Sequence, residues 1–118
     1  MIITAVILLV IISFAHSYLG EKYILIRLFR KDLPKLFGSD DFTKKTLRFA
    51  WHLTSIAWLG FAYALYLIEA NSFNEITFLA LCSYVFGISA IVSLIASKAK
   101  HLSWLVFLMI SLVCAIAK

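Results

Sequence analysis

The chain has 118 residues, of which 64% are hydrophobic and 14% charged, with a formal net charge of +5 and a mean hydropathy of +1.00. Soluble domains are about 45–50% apolar and about 25% charged, and a short chain has too much surface to hide such an apolar excess. The composition excludes a disordered chain, a secreted disulfide scaffold and an ordinary soluble enzyme. It predicts a single all-α, polytopic membrane domain covering residues 1–118.

Four apolar stretches follow one another along the chain, at about residues 2–19, 49–68, 76–97 and 102–117. A membrane-crossing helix needs roughly 20 mostly apolar residues, so each stretch is predicted to span the bilayer, together forming an antiparallel four-helix bundle. No Lys or Arg precedes the first stretch. Because a signal peptide begins with a positive region, we expect a retained first transmembrane helix.

The connections between these spans differ sharply in charge. Residues 20–48 carry most of the cations, residues 69–75 carry none, and residues 98–101 carry Lys98 and Lys100. Positive connections stay on the cytoplasmic side. The pattern therefore predicts a bacterial inner-membrane protein with cytoplasmic basic connections and both termini on the periplasmic side. This strong bias argues against a dual-topology dimer, and the positive charge is assigned to topology and lipid headgroups rather than nucleic acid.

The long basic connection is predicted to contain two pieces of helix. Residues 21–37 alternate apolar and basic side chains near helical spacing, which indicates an amphipathic interfacial helix that Pro34 ends. The second long helix is expected to start near Asp41, supported by a Lys45 partner four residues later. The basic side chains serve either as a topology anchor or as a contact for lipid or a partner. The predicted contact residues are Arg27, Arg30, Lys31, Lys35, Lys44 and Lys45.

Polar residues near the basic side of the membrane form the candidate site. No Asp, Glu, Lys or Arg lies in the middle of a predicted span, which argues against a carboxylate-driven antiporter. The spacing predicts a cluster of His16, Glu21, Arg48, His52 and Ser55 between the first two spans. Its histidines are expected to act as a latch between helices, or as a metal, haem or proton site. The third histidine, His101, is expected to contact headgroups.

Small residues are predicted to mediate close packing between helices. They lie at Ser13, Ser17 and Gly20 in the first span and at Gly87, Ser89 and Ser93 in the third. Cys82 and Cys114 are expected to be free buried thiols. Tryptophans such as Trp51 and Trp58 are expected to anchor the spans at the membrane interface.

These features predict a non-catalytic accessory or assembly subunit of a membrane complex. Its partners would be the lipid bilayer and a membrane protein or further copies of itself. No enzyme activity and no cofactor are predicted, and metal binding stays open. One alternative is an oligomeric channel or carrier for a proton, metal or small ion that uses His16 and His52. A second alternative is an electron-transfer subunit with haem between those two histidines.

Overall fold

The computed structural model describes all residues, Met1–Lys118, and 80% of them are helical with no strands. We number the helices α1 (Ile2–Leu28), α2 (Asp41–Glu69), α3 (Glu75–Ser97) and α4 (Ser103–Ala117). The first three are long and apolar enough to cross a membrane, and α4 is a shorter apolar helix. The all-helical prediction is confirmed, and the three long helices are compatible with a membrane protein.

Helix α1 extends beyond the predicted first span but ends before the predicted amphipathic helix does. It continues through a π-helical turn at Gly20–Leu25 and stops at Leu28. The residues that follow are irregular, and proline disfavours helical backbone at Leu33, the residue before Pro34. They close in a tight turn, where Phe37 and Gly38 have positive φ angles of 56° and 89°.

Helix α2 begins at Asp41, as predicted, and ion pairs support its first turns. Asp41 contacts Lys45 at 2.6 Å, and Asp40 contacts Lys44 at 2.8 Å. The hydrogen bond from Lys44 holds the pKa of Asp40 below its ordinary value. Both pairs lie four residues apart, the spacing that stacks side chains on one helix face.

The four helices form a flat row in which each helix packs only against its neighbours in the chain. The molecule measures 51 × 32 × 15 Å, so it is one helix layer thick. The predicted antiparallel four-helix bundle is not confirmed. A stacked contact between Phe42 and His101, with ring centroids 5.7 Å apart, places the α3–α4 connection beside the start of α2. We call this end of the molecule, which carries residues 20–48 and 98–101, the basic end.

Burial is confined to the seams between neighbouring helices. Only 12 of the 118 residues are buried, and most large apolar side chains are exposed on the two broad faces of the row. Serines account for five of the buried residues, namely Ser13, Ser55, Ser89, Ser93 and Ser97. Small residues bring helix backbones close together, and here they line the seams while the apolar side chains point away from the protein.

Candidate functional site

The seam between α1 and α2 carries a network of polar side chains near the basic end. His52 lies at its centre, with Nδ1 3.0 Å from Ser17 Oγ and Nε2 3.2 Å from Glu21 Oε2. Arg48 contacts both oxygens of Glu21, with Nη2 2.8 Å from Oε1 and Nε 3.2 Å from Oε2. Ser17 Oγ lies 2.7 Å from Ser55 Oγ. We call these five residues the His52 network.

Helical spacing explains why these five side chains meet. Ser17 and Glu21 are four residues apart on α1, and Arg48, His52 and Ser55 fall at positions i, i+4 and i+7 on α2. Residues at such spacings share one face of a helix. The contacting residue numbers fall along α1 as they rise along α2, so the two faces meet in opposite directions.

The network accommodates His52 in both of its protonation states. An ionised Glu21 only accepts hydrogen bonds, so His52 Nε2–H donates to it. When Ser17 donates to Ser55, Ser17 Oγ is free to accept from Nδ1–H of a charged imidazolium. When the ring is neutral, Ser17 donates to Nδ1 instead. Rotation of one hydroxyl group therefore keeps both ring nitrogens hydrogen-bonded.

The charged and imidazole side chains of the network are partly exposed at the surface of the protein. The side chains of Glu21, Arg48 and His52 are 31%, 46% and 30% exposed. The guanidinium of Arg48 also lies 4.9 Å from the ring centre of Phe29, which adds a cation–π contact. A single partly exposed ion pair contributes little to stability. We therefore infer that the network fixes the position of α1 relative to α2 more than it stabilises the fold.

His16 does not join this network, although the sequence predicted that it would. Its ring stacks on Trp51, with centroids 4.5 Å apart and planes 1° from parallel, and it also contacts Trp58 at 4.8 Å. The buried Nε2 atom of His16 has no hydrogen-bond partner. The reason is helical geometry, since His16 is one residue from Ser17 and so points about 100° away from it.

Trp51 packs against a second face of α1, a role that the prediction of an interfacial anchor did not include. Its Nε1–H donates to the carbonyl of His16 at 2.9 Å. A Cβ atom added to Gly20 would lie 2.0 Å from Trp51 Nε1 and 2.4 Å from Cε2. Only glycine leaves space for this ring, and the spacing of four between His16 and Gly20 is the signal that identifies their shared face.

The two histidines are therefore engaged differently. His52 uses both ring nitrogens in the network, whereas His16 is held by stacking on Trp51. Ligation of a haem iron by His52 would require breaking one of its two hydrogen bonds. The structure contains no group of three or more His, Cys, Asp or Glu residues arranged to hold a metal ion.

The seam between α3 and α4 is also lined by hydroxyl groups. Ser93 and Ser103 contact each other through their Oγ atoms, and Ser111 donates to the carbonyl of Ser83 at 2.7 Å. The predicted packing residue Gly87 faces Ser111, whereas Ser89 is buried on another face of α3 and donates to the carbonyl of Val85 at 2.8 Å. Ser13 is buried on α1 and donates to the carbonyl of Leu9.

His101 is half-buried rather than exposed to headgroups as predicted. Its ring packs between Phe42 and Phe49, at centroid distances of 5.7 and 5.1 Å. Nδ1 lies 2.8 Å from Ser103 Oγ. His101 therefore links the α3–α4 connection to α2, whereas α4 itself does not pack against α2.

The predicted contact residues for lipid or a partner divide into two groups. Lys44 and Lys45 are held by Asp40 and Asp41. The other four are exposed and have no ion-pair partner, namely Arg27, Arg30, Lys31 and Lys35. Cys82 and Cys114 are free thiols.

Comparison with known proteins gives no relative, because the chain matches no protein-family model, no curated protein and no solved structure.

Proposed function

We propose that this chain is a multi-pass membrane protein that acts as a non-catalytic accessory or assembly subunit of a larger membrane complex. The observation that supports this is the flat row of helices, whose two broad faces are apolar and not covered by the chain itself. In a membrane, such faces contact lipid or the helices of another protein. We place the protein in a bacterial inner membrane with four antiparallel spans, cytoplasmic basic connections and periplasmic termini.

In this proposal the His52 network acts as a latch between α1 and α2. Hydrogen bonds between side chains on adjacent helices fix their relative depth and rotation, and those in membrane proteins contribute about 0.6 kcal/mol each on average. Five side chains acting together hold the seam at the end where α1 and α2 leave the membrane. The latch thereby fixes the shape of the surface that a partner meets.

The test is photo-crosslinking from the two broad faces of the row. Grooves lie on both sides of the α2–α3 seam and share Gly60, with Phe61 lining one and Tyr63 the other. A photoreactive amino acid is placed at Phe61 or at Tyr63, both of which are exposed, in protein expressed at its native level. A specific partner, or a second copy of the chain, is expected to be captured from one face only.

Each position is the matched control for the other, because both lie in α2 two residues apart and face opposite sides. Capture of the same protein set from both positions would indicate non-specific contact. No protein capture from either, together with a monomer after gentle detergent purification, would contradict the proposal.

A second candidate function is a proton carrier or channel, favoured by the unbroken chain of contacts from Ser55 through Ser17 and His52 to Glu21. Hydroxyl, imidazole and carboxylate groups all accept and release protons. Purified protein in liposomes with a pH-sensitive dye tests this idea. If the protein is a proton carrier, the wild type gives proton flux above that of empty liposomes and His52→Gln abolishes it. Wild-type flux equal to that of empty liposomes excludes this function, and flux that His52→Gln leaves unchanged excludes His52 from the proton path.

A further inference from the structure

The exposed cations of the basic end include a set that the protein leaves without acidic partners. Among the cations of residues 20–48, Lys44, Lys45 and Arg48 each contact an acidic side chain within 2.8 Å. Arg27, Arg30, Lys31 and Lys35 contact none, and all four are exposed. We call these four residues the free cations. Lys22 also contacts no acidic side chain, but it lies further back on α1, against the rings of Tyr18 and Tyr23. Asp32 is the one acidic residue of this connection that is not engaged by a cation within 4 Å.

The length of α1 places the free cations at the depth of the lipid headgroups. Helix α1 has 27 residues, which at 1.5 Å per residue gives about 40 Å. The hydrocarbon core of a bilayer is about 30 Å thick, so about seven residues at the end of α1 extend beyond it. Arg27 lies in that last turn, and the other free cations follow directly. This step rests on the membrane embedding proposed above.

Exposed apolar side chains accompany the free cations. Ile24 and Leu28 lie on the end of α1, and Leu36 and Phe37 lie at the tight turn, with Phe37 84% exposed. A surface that alternates cations with uncovered apolar groups matches the boundary between phosphate headgroups and acyl chains. An acidic soluble partner would match the cations but not these apolar groups.

We propose that the free cations form a binding surface for the phosphate headgroups of anionic phospholipids. The charge is complementary, and Arg27 and Arg30 offer the planar fork that binds phosphate oxygens in pairs. A Lys or Arg near an anionic membrane surface strengthens attraction by about fivefold. Lys44 and Lys45 contribute less, because their charges are compensated by Asp40 and Asp41.

The experiment compares two variants that each remove two positive charges. Arg30→Gln/Lys31→Gln removes free cations, and Lys44→Gln/Lys45→Gln removes paired ones. The full-length chain is purified in detergent, mixed with equal amounts of phosphatidylglycerol and phosphatidylcholine, and the bound lipids are counted by native mass spectrometry. The wild type is expected to retain phosphatidylglycerol preferentially. Arg30→Gln/Lys31→Gln is expected to reduce that preference by about tenfold or more, and Lys44→Gln/Lys45→Gln by less than about threefold.

Equal reductions in the two variants would overturn the proposal, because they would indicate a response to net charge only. Equal retention of the two lipids by the wild type would also overturn it and would assign the free cations to an acidic protein partner. Alkaline carbonate extraction of membranes distinguishes this failure from failure of the proposed function. A chain that leaves the membrane without detergent contradicts the membrane embedding itself, whereas one that stays but shows no lipid preference contradicts only the lipid surface.

Discussion

Gly20→Ala tests the close packing of Trp51 against α1 with the smallest possible side chain. In the middle of a continuous helix this substitution is ordinarily favourable, because alanine is preferred over glycine by about 1 kcal/mol. At this position the new Cβ atom would lie 2.0 Å from Trp51 Nε1, 2.4 Å from Cε2 and 2.7 Å from Cζ2. Ordinary contacts between heavy atoms are about 3.5–4.0 Å, so the indole ring has to move.

The magnitude follows from what the displaced ring loses. Overpacking in a well-packed seam costs about 1–3 kcal/mol, and the Trp51 hydrogen bond to the carbonyl of His16 is worth about 1 kcal/mol. Subtracting the helix preference of alanine leaves a net destabilisation of about 2 kcal/mol. Gly87→Ala is the matched control, because its Cβ would lie 3.0 Å from Ser111 Oγ and at an ordinary 3.9 Å from Ser111 Cβ. We expect that variant to stay within about 1 kcal/mol of the wild type.

The assay is unfolding by SDS titration in mixed micelles, followed by circular dichroism. Gly20→Ala is also measured in a Trp51→Leu background, where the clash is absent and alanine is expected to stabilise the helix by up to about 1 kcal/mol. The sign of the effect should therefore reverse between the two backgrounds. Equal destabilisation in both, or stabilisation by Gly20→Ala in the wild type, would refute the packing argument.

Three further substitutions probe the contacts in the α1–α2 seam and at the start of α2. Trp51→Phe removes the hydrogen bond to the carbonyl of His16 and is expected to lower unfolding free energy by about 1 kcal/mol in the same assay; an unchanged value would contradict that bond. His52→Ala should cost about 1 kcal/mol, since the network is partly exposed, and unchanged thermal stability would argue against the latch. Because the pKa of Asp40 is lowered by Lys44, its contribution to stability is present above the ordinary aspartate pKa and is lost as the pH falls through the folded-state value. Asp40→Asn should therefore be less stable than the wild type at pH 7, and the difference should disappear at acidic pH; a difference independent of pH would contradict this reasoning.

The sequence predicted the helices well because hydrophobic length and turn chemistry are local properties. The start of α2 at Asp41 follows from the acidic residues and the Lys45 spacing, both readable from a few residues. The end of α1 at Leu28 was harder to predict, because the apolar and basic residues after it keep helical spacing up to Pro34. The flat row could not be predicted from the sequence for a different reason. Apolar residues surround each helix, so their pattern does not select which neighbours a helix packs against.

The candidate site shows where a helical spacing was applied too broadly. The predictions placed His16 with His52 in one cluster, and Ser17 with Gly20 among the packing residues of the first span. Spacings of four separate the three α1 residues into two faces, with Ser17 directed at His52 and His16 with Gly20 directed at Trp51. The placement of Trp51 could not be derived from a rule that assigns tryptophan to membrane interfaces, because the space it fills is created by the missing side chain of Gly20 on another helix.

The row arrangement has a mechanical consequence, which is that each seam should respond independently. In a bundle a seam mutation disturbs a shared core, but here α4 packs only against α3 and α1 only against α2. Ser103→Ala removes the partner of the buried Ser93 hydroxyl, and a buried polar group without a partner costs about 1–3 kcal/mol. His101 Nδ1 loses the hydroxyl of Ser103 but keeps its backbone N–H.

Hydrogen exchange measured by mass spectrometry in detergent locates the effect of Ser103→Ala. Faster exchange is expected in α4 and the adjoining end of α3, while the amides of α1 keep the wild-type rate, because local opening follows the contacts of the opened element. Gly20→Ala provides the reciprocal case and should accelerate exchange in α1 without changing α4. Uniform acceleration along the whole chain by either variant would indicate a common core and contradict the flat row.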